Sequence, residues 1–194
     1  MGVDEAVAEL SRAAPFYAAS GGGVSLSGGE PMMQAGFTEA VLRRCRQSGF
    51  HTVLDTSGFA LWADFERVIP WVDLVLFDLK LADPEDHRRY TGVSNEVILE
   101  NLRRIDDRGN PVEIRIPVVP GVNDARSQIE ALAGVTKGLR HLARVTFLPY
   151  HRLGEAKYAR LGRACRVAGL EPPNEARMAQ IASWFHSRGE PAEA

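Results

Sequence analysis

The sequence predicts an α/β protein built on a parallel sheet, and three observations predict it. Short apolar runs of strand length alternate five times with segments whose apolar residues recur at helical spacing, and one more helix stands in front. Each of the five runs ends in its own polar cluster: SGGE, DTSG, DLK, VPGVND and PYH. Parallel strands joined by right-handed crossovers deliver their carboxyl ends to one side of the sheet, which is where ligands bind in such folds.

The 194 residues suit one domain, spanning 1–194, with 190–194 as a flexible tail. With 45% hydrophobic and 25% charged residues the chain can bury a core. A net charge of −2 advertises neither a nucleic-acid nor a membrane partner. The two cysteines, Cys45 and Cys165, form no CxxC pair and no disulfide framework, which fits a reducing cytoplasm. No apolar run is long enough to span a bilayer, and no secretory pattern is present.

In chain order, Asp4 can cap a first helix with Val7 and Leu10 inward, and Pro15 ends it. Val24 to Ser27 is the opening strand, led in by three glycines and stopped by Pro31. Gln34 to Ser48 reads as a helix whose inner stripe is Phe37, Val41 and Cys45, with Gly49 as its stop; Cys45 is therefore read as a packed thiol. His51 to Leu54 is a strand and Leu61 to Ile69 a short helix stopped by Pro70. Val72 to Phe77, almost wholly apolar, reads as a strand covered on both faces. Helices follow at Pro84 to Tyr90 and Asn95 to Asp107, then a strand from Val112 to Val119 carrying Arg115. Ile129, Leu132, Ala133 and Thr136 mark a helix, Val145 to Leu148 the last strand, and Asn174 caps a final helix with Met178, Ile181, Ala182 and Phe185 inward.

The strand ends carry the chemistry. Gly28 and Gly29 bring backbone close to a bound group, and Glu30 adds an acceptor suited to an amine; a plain glycine turn is the other reading. Asp55 and Thr56 offer oxygens for a cation or a hydroxyl, or Asp55 only caps the next helix. Asp78 and Lys80 straddle Leu79 and share one side of a strand, either lining a site or forming an ordinary ion pair. His151, beside Tyr150, offers a ring and a donor suited to a ribose or adenine. Together these partners suit a nucleoside joined to an amino acid.

The motifs YxxSGGGVSLSGGEP, VLDTSG, LFDLK, HRRYTGVSNEVILENL, IRIPVVPGVND and LPYHRLGEAKY, in this order, resemble those of glycyl-radical-enzyme activases, the radical S-adenosylmethionine enzymes typified by the pyruvate formate-lyase activating enzyme. The resemblance runs from about Val3 to Gly189. It implies a partial (β/α) barrel, TIM-barrel-like, here with five strands and the family's first strand missing. It implies S-adenosylmethionine as cofactor and a [4Fe–4S] cluster held by an upstream CxxxCxxC loop. It also implies reductive cleavage of the cofactor to a 5′-deoxyadenosyl radical, and a glycyl-radical enzyme as the protein partner that loses a glycine hydrogen. Carried onto this chain, Gly28, Gly29 and Glu30 meet the methionine amine. Asp78, Leu79 and Lys80 line the methionyl and sulfonium side, and His151 contacts the nucleoside. Asp55, Thr56 and Asp78 resemble residues near a monovalent cation.

The departure is the cysteine pattern. The chain has no CxxxCxxC, and neither Cys45 nor Cys165 replaces it. The expectation is a polypeptide inactive alone, with no catalytic or metal-binding residue of its own. Its Met1-Gly2 is read as an expression start, an internal start or the start of a truncated gene. A missing first strand leaves the opening strand as a bare edge, which invites self-association. The reading from another class is a cluster-free binding or scaffold protein on the same barrel; a third is an unrelated barrel enzyme for a phosphorylated substrate, with phosphate at the glycine-rich lip.

Overall fold

The computed structural model describes residues 2–152, 162, 169–187 and 192–193. Cys165 and residues 153–158 of the last motif lie outside them. Its strands form one sheet in sequence order, β1 to β6: β1 (Gly23–Leu26), β2 (His51–Thr56), β3 (Leu74–Asp78), β4 (Val112–Val118), β5 (Leu142–Pro149) and a two-residue β6 (Ala192–Glu193). The five longer strands run parallel with helices between them, the α/β arrangement expected from the alternation. The residues group into two compact units. One comprises Met1–Asp78, Val97–Glu113 and Arg140–Ala143; the other comprises Leu79–Glu96, Ile114–Leu139 and Arg144–Ala194.

The first unit opens with α1 (Val3–Ser11) and α2 (Ala14–Ser20). The cap of α1 is Gly2 rather than Asp4; Asp4 and Glu5 fall in its first turn, where carboxylates favour the helix dipole. Pro15 does not end a helix but begins α2, at a first-turn position whose missing N–H has no partner to lose. After β1 come a 3₁₀ turn at Pro31–Gln34 and α3 (Ala35–Gln47). Ala6 and Val7 of α1, Val24 of β1 and Val41 and Cys45 of α3 form one buried cluster. The Cys45 thiol is fully buried, and burial pushes its pKa up, as the helical stripe predicted. β1 and β2 approach so closely that a Cβ at Gly23 would stand 2.0 Å from the His51 carbonyl oxygen.

α4 (Trp62–Val68) and a 3₁₀ turn at Ile69–Trp71 lead to β3. This strand begins at Leu74, not Val72. The Asp73 carboxylate accepts from the Thr52 N–H and hydroxyl, both at 2.9 Å, and holds the chain at the start of β2 before the ladder begins. Nor is β3 covered equally on both faces: Val75 and Phe77 are buried, while Leu74, Leu76 and Asp78 are half-buried. An apolar composition does not distinguish those two environments. β2 pairs with β3 in the register Val53↔Leu74 to Thr56↔Phe77. α6 (Glu96–Asp107) buries Ile98, Leu102 and Ile105, the predicted face.

The second unit carries α5 (Pro84–Thr91), capped by the Asp83 carboxylate, which accepts from the Glu85 and Asp86 N–H groups at 2.9 Å. α7 (Arg126–Thr136) buries Ile129, Leu132, Ala133 and Thr136. α8 (Glu175–His186) is capped by Asn174 and buries Met178, Ile181, Ala182 and Phe185, all as predicted. Phe185 meets Phe147 of β5 edge to face, ring centroids 5.3 Å apart. Within the residues read as a tail, Ala192 and Glu193 pair in parallel with Val145 and Thr146.

Candidate functional site

The end of β1 is joined to the end of β2 by side chains. Ser27 donates its hydroxyl to the Asp55 carboxylate at 2.7 Å. Three residues on, Glu30 reaches β2 with both carboxylate oxygens. Oε1 accepts from the Thr56 hydroxyl at 2.7 Å and from the Met32 N–H at 3.2 Å. Oε2 accepts from the Ser57 N–H at 2.8 Å and the Ser57 hydroxyl at 2.6 Å. A carboxylate has about four acceptor positions, and here the chain itself supplies four donors. Glu30 is therefore first a tie between two strand ends.

Between these two ties lie Gly28 and Gly29. Both are exposed, and a Cβ built on either would have no atom within 4 Å, so the backbone polar groups are open to a ligand. Gly28 has φ +126°, a conformation that other residues rarely adopt. Thr56 is buried and its hydroxyl, besides donating to Glu30, accepts from the Gly58 N–H at 3.1 Å. Gly58 has φ +77°, and a Cβ there would stand 2.2 Å from the Phe77 ring. Asn101, buried on α6, donates to the carbonyls of Gly58 and Ala60 at 2.9 Å each and so fixes the loop beyond β2. Asp78 ends β3, half-buried.

In the second unit the residues after β3 are held by a different group. The Leu79 N–H donates to the Arg115 carbonyl at 2.9 Å, and the Leu79 side chain is buried. Lys80 is half-buried, and its carbonyl accepts from the Asn123 amide at 2.8 Å. Asn123 is itself buried; it also donates to the Pro117 carbonyl and accepts from the Val119 N–H, both at 2.8 Å. Asn95, also buried, donates to the Leu81 and Ala82 carbonyls at 2.9 Å each. His151 follows β5 and is exposed.

Within the first unit, then, the structure joins Glu30 to Thr56 directly and sets Asp55 one hydrogen bond from Ser27. Asp55, Asp78 and Lys80 are each also engaged by other groups of the protein. The sequence reading missed Ser27, Ser57, Asn101 and Asn123. Ser57 carried a signal: it is the third letter of DTSG, next to Thr56. Asn123 stood within VPGVND but was not singled out, and Asn101, inside a predicted helix, carried no signal.

The exposed Gly28–Gly29 backbone beside fixed carboxylates suits a cationic amine. Among the described residues no group of three or more His, Cys, Asp or Glu could hold a metal ion, and Cys45 is buried.

Parallel strands with intervening helices and polar residues at the strand ends define the class of α/β ligand-binding folds. The chain matches the Radical SAM superfamily over residues 1–133, more than half its length, and it belongs to that superfamily. It is 45% identical over 163 residues to the isethionate sulfite-lyase activating enzyme of Nitratidesulfovibrio vulgaris, covering 83% of this chain and 52% of that protein. It is 36% identical over 179 residues to the pyruvate formate-lyase-activating enzyme of Staphylococcus epidermidis, covering 89% and 71%. Among solved structures, a domain of the pyruvate-formate lyase-activating enzyme from Bacteroides vulgatus superposes with a TM-score of 0.74 at 32% identity, over 89% of this chain and 98% of that domain. The partial-barrel fold that the motifs implied is thus the fold of this chain. The chain spans about half the length of the isethionate sulfite-lyase activating enzyme.

Proposed function

We propose that this chain is the S-adenosylmethionine-binding core of a cytoplasmic glycyl-radical-enzyme activating enzyme. The observation that carries this reading is the open Gly28–Gly29 backbone held between the Ser27–Asp55 bond and the Glu30 tie to Thr56 and Ser57. The glycine carbonyls accept the methionine amine, and Glu30 fixes them while lending its negative field. Asp78, Leu79 and Lys80 serve the methionyl and sulfonium side, and His151 the nucleoside. Asp55, Thr56 and Asp78 attend a monovalent cation. Given one electron from an iron–sulfur cluster held outside this chain, the bound cofactor would release methionine and supply a carbon radical able to take a hydrogen from a glycine of the partner enzyme.

The chain has two cysteines, 120 positions apart, and three thiolates are needed for such a cluster. We infer that the chain alone makes no radical. Anaerobic treatment with iron and sulfide is expected to leave no stable brown cluster; several irons retained per chain would refute this. Among the described residues β1 stands at one end of the sheet, paired with β2. That open edge supports pairing with a second copy, seen as a dimer in light scattering; a clean monomer at high concentration would count against it.

Calorimetric titration tests the main reading. S-adenosylmethionine and S-adenosylhomocysteine are expected to bind weakly, and Gly29→Val to abolish the heat. Binding of inorganic phosphate with no response to either nucleoside would replace this reading with that of a barrel for phosphorylated substrates.

A further inference from the structure

Six large apolar side chains among the described residues are exposed, and four of them gather at one place. Met33 (78% exposed) follows the Glu30 turn, Phe59 (43%) and Leu61 (74%) follow Ser57, and Val97 (48%) lies in the first turn of α6. With Met32, Ala60 and Asp64 they line a cavity of about 420 Å³ within the first unit. Apolar side chains so exposed and so concentrated mark an interaction site rather than ordinary surface. Met33 adds an adaptable, polarizable contact.

The cavity holds one carboxylate. Asp64, in the first turn of α4, is half-buried against the apolar lining, and among the described residues its side chain makes no ion pair or hydrogen bond. Neighbouring charges are already matched: Glu39 with Arg67, and Glu100 with Arg104. An apolar cradle with one unmatched negative charge favours an occupant with a large apolar side chain next to a cation.

The chain also links this cavity to the Glu30 tie. Met32 donates its N–H to Glu30 and lines the cavity, and Phe59 lies two residues beyond Ser57, which donates to the same carboxylate. The cavity and the tie thus share Met32 and the short link from Ser57 to Phe59.

We propose that the Met33–Phe59–Leu61–Val97 cavity docks an extended segment of the protein partner, one that presents a large apolar residue flanked by lysine or arginine, with Asp64 receiving the cation. This rests on the reading of the chain as acting on a protein partner.

The test uses three blocked seven-residue peptides and the methyl signal of Met33 in solution NMR. The first peptide has leucine and lysine at its centre, the second glutamate in place of the lysine, and the third serine in place of the leucine. The first is expected to shift Met33 saturably and to bind about two- to fivefold tighter than the second, the range of one solvent-exposed ion pair. Asp64→Asn should erase that preference, and Leu61→Asp should abolish binding. Phe16→Asp, at an exposed apolar residue outside the cavity, should change nothing. Met33 unmoved by all three peptides, or equal affinity for the first two, overturns the proposal. So does a Met33 signal that shifts with protein concentration alone, which would make a second copy the occupant. S-adenosylhomocysteine is titrated into the same samples: peptide binding lost with nucleoside binding kept sinks the dock alone, and the converse sinks the functional reading alone.

Discussion

The loop after β1 and the loop after β4 are both fixed to a neighbouring strand end, but by opposite chemistry. After β1 the fixing group is a charge, the half-buried Glu30 carboxylate with four donors around it. After β4 it is a neutral amide, Asn123, fully buried and bonded to three backbone groups. A buried charge must be compensated completely and still costs desolvation, whereas a buried amide need only be paired. A half-buried carboxylate, by contrast, keeps part of its field directed outward. The difference separates a tie that also addresses a cationic ligand from one that only shapes the scaffold.

The sharpest way to break this comparison is Asn123→Ala. It strands the Lys80 and Pro117 carbonyls and the Val119 N–H in a buried place, and should cost about 2–4 kcal/mol. Urea denaturation measures it, and a loss below about 0.5 kcal/mol would mean that the amide fixes nothing. Nucleoside affinity per folded molecule should survive. Glu30→Gln comes next, at about 1–3 kcal/mol. It keeps the shape but turns one acceptor into a donor facing donors, and it removes the outward charge. Stability and nucleoside binding should therefore fall together; unchanged binding would refute the ligand-facing half of the comparison.

The smallest effect is on pH dependence, and it differs between the units. In the second unit, His87 is buried with its Nδ1–H donated to the Val93 carbonyl at 2.7 Å. Burial, with the Lys80 charge, holds its pKa below the usual value against the opposing pull of that carbonyl. The unfolded chain takes up the proton at about pH 6.5 and the folded chain resists it, so stability declines as pH falls below about 6.5. In the first unit, burial pushes Asp106 up, but the N–H groups of Arg140 and His141 outweigh it and leave its pKa lowered. Its contribution holds above about pH 4 and is lost as pH falls through the folded value. Urea midpoints at pH 7.5 and 5.5 should differ less in His87→Phe than in the parent chain. An equal difference in both would remove His87 as the cause.

The sequence announced the fold through periodicity. The stripe of Phe37, Val41 and Cys45 and that of Met178, Ile181 and Phe185 lie on helices with the predicted faces inward, because 3.6-residue spacing is local information. Boundaries were less legible where a side chain intervened. Thr52 captures Asp73 and delays β3, and Pro15 opens a helix where it looked like a stop. Gly28, Gly29 and Glu30 stood out in the sequence because glycine pairs before an acid are chemically unusual. That Glu30 would be satisfied by Thr56 and Ser57, 26 and 27 residues later, was invisible, since it depends on strand register. Asn101 and Asn123 were silent for the same reason: each has a partner 43 residues away, Gly58 and Lys80.

The sealed sulfur of α3 offers a practical instrument. Cys45 sits where α1, α3 and β1 meet, so an alkylating reagent reaches it only when that layer parts. Peptide mapping of adduct formation at this one position, followed over time, would clock how often the amino-terminal layer lifts from the sheet and whether a bound nucleoside slows it.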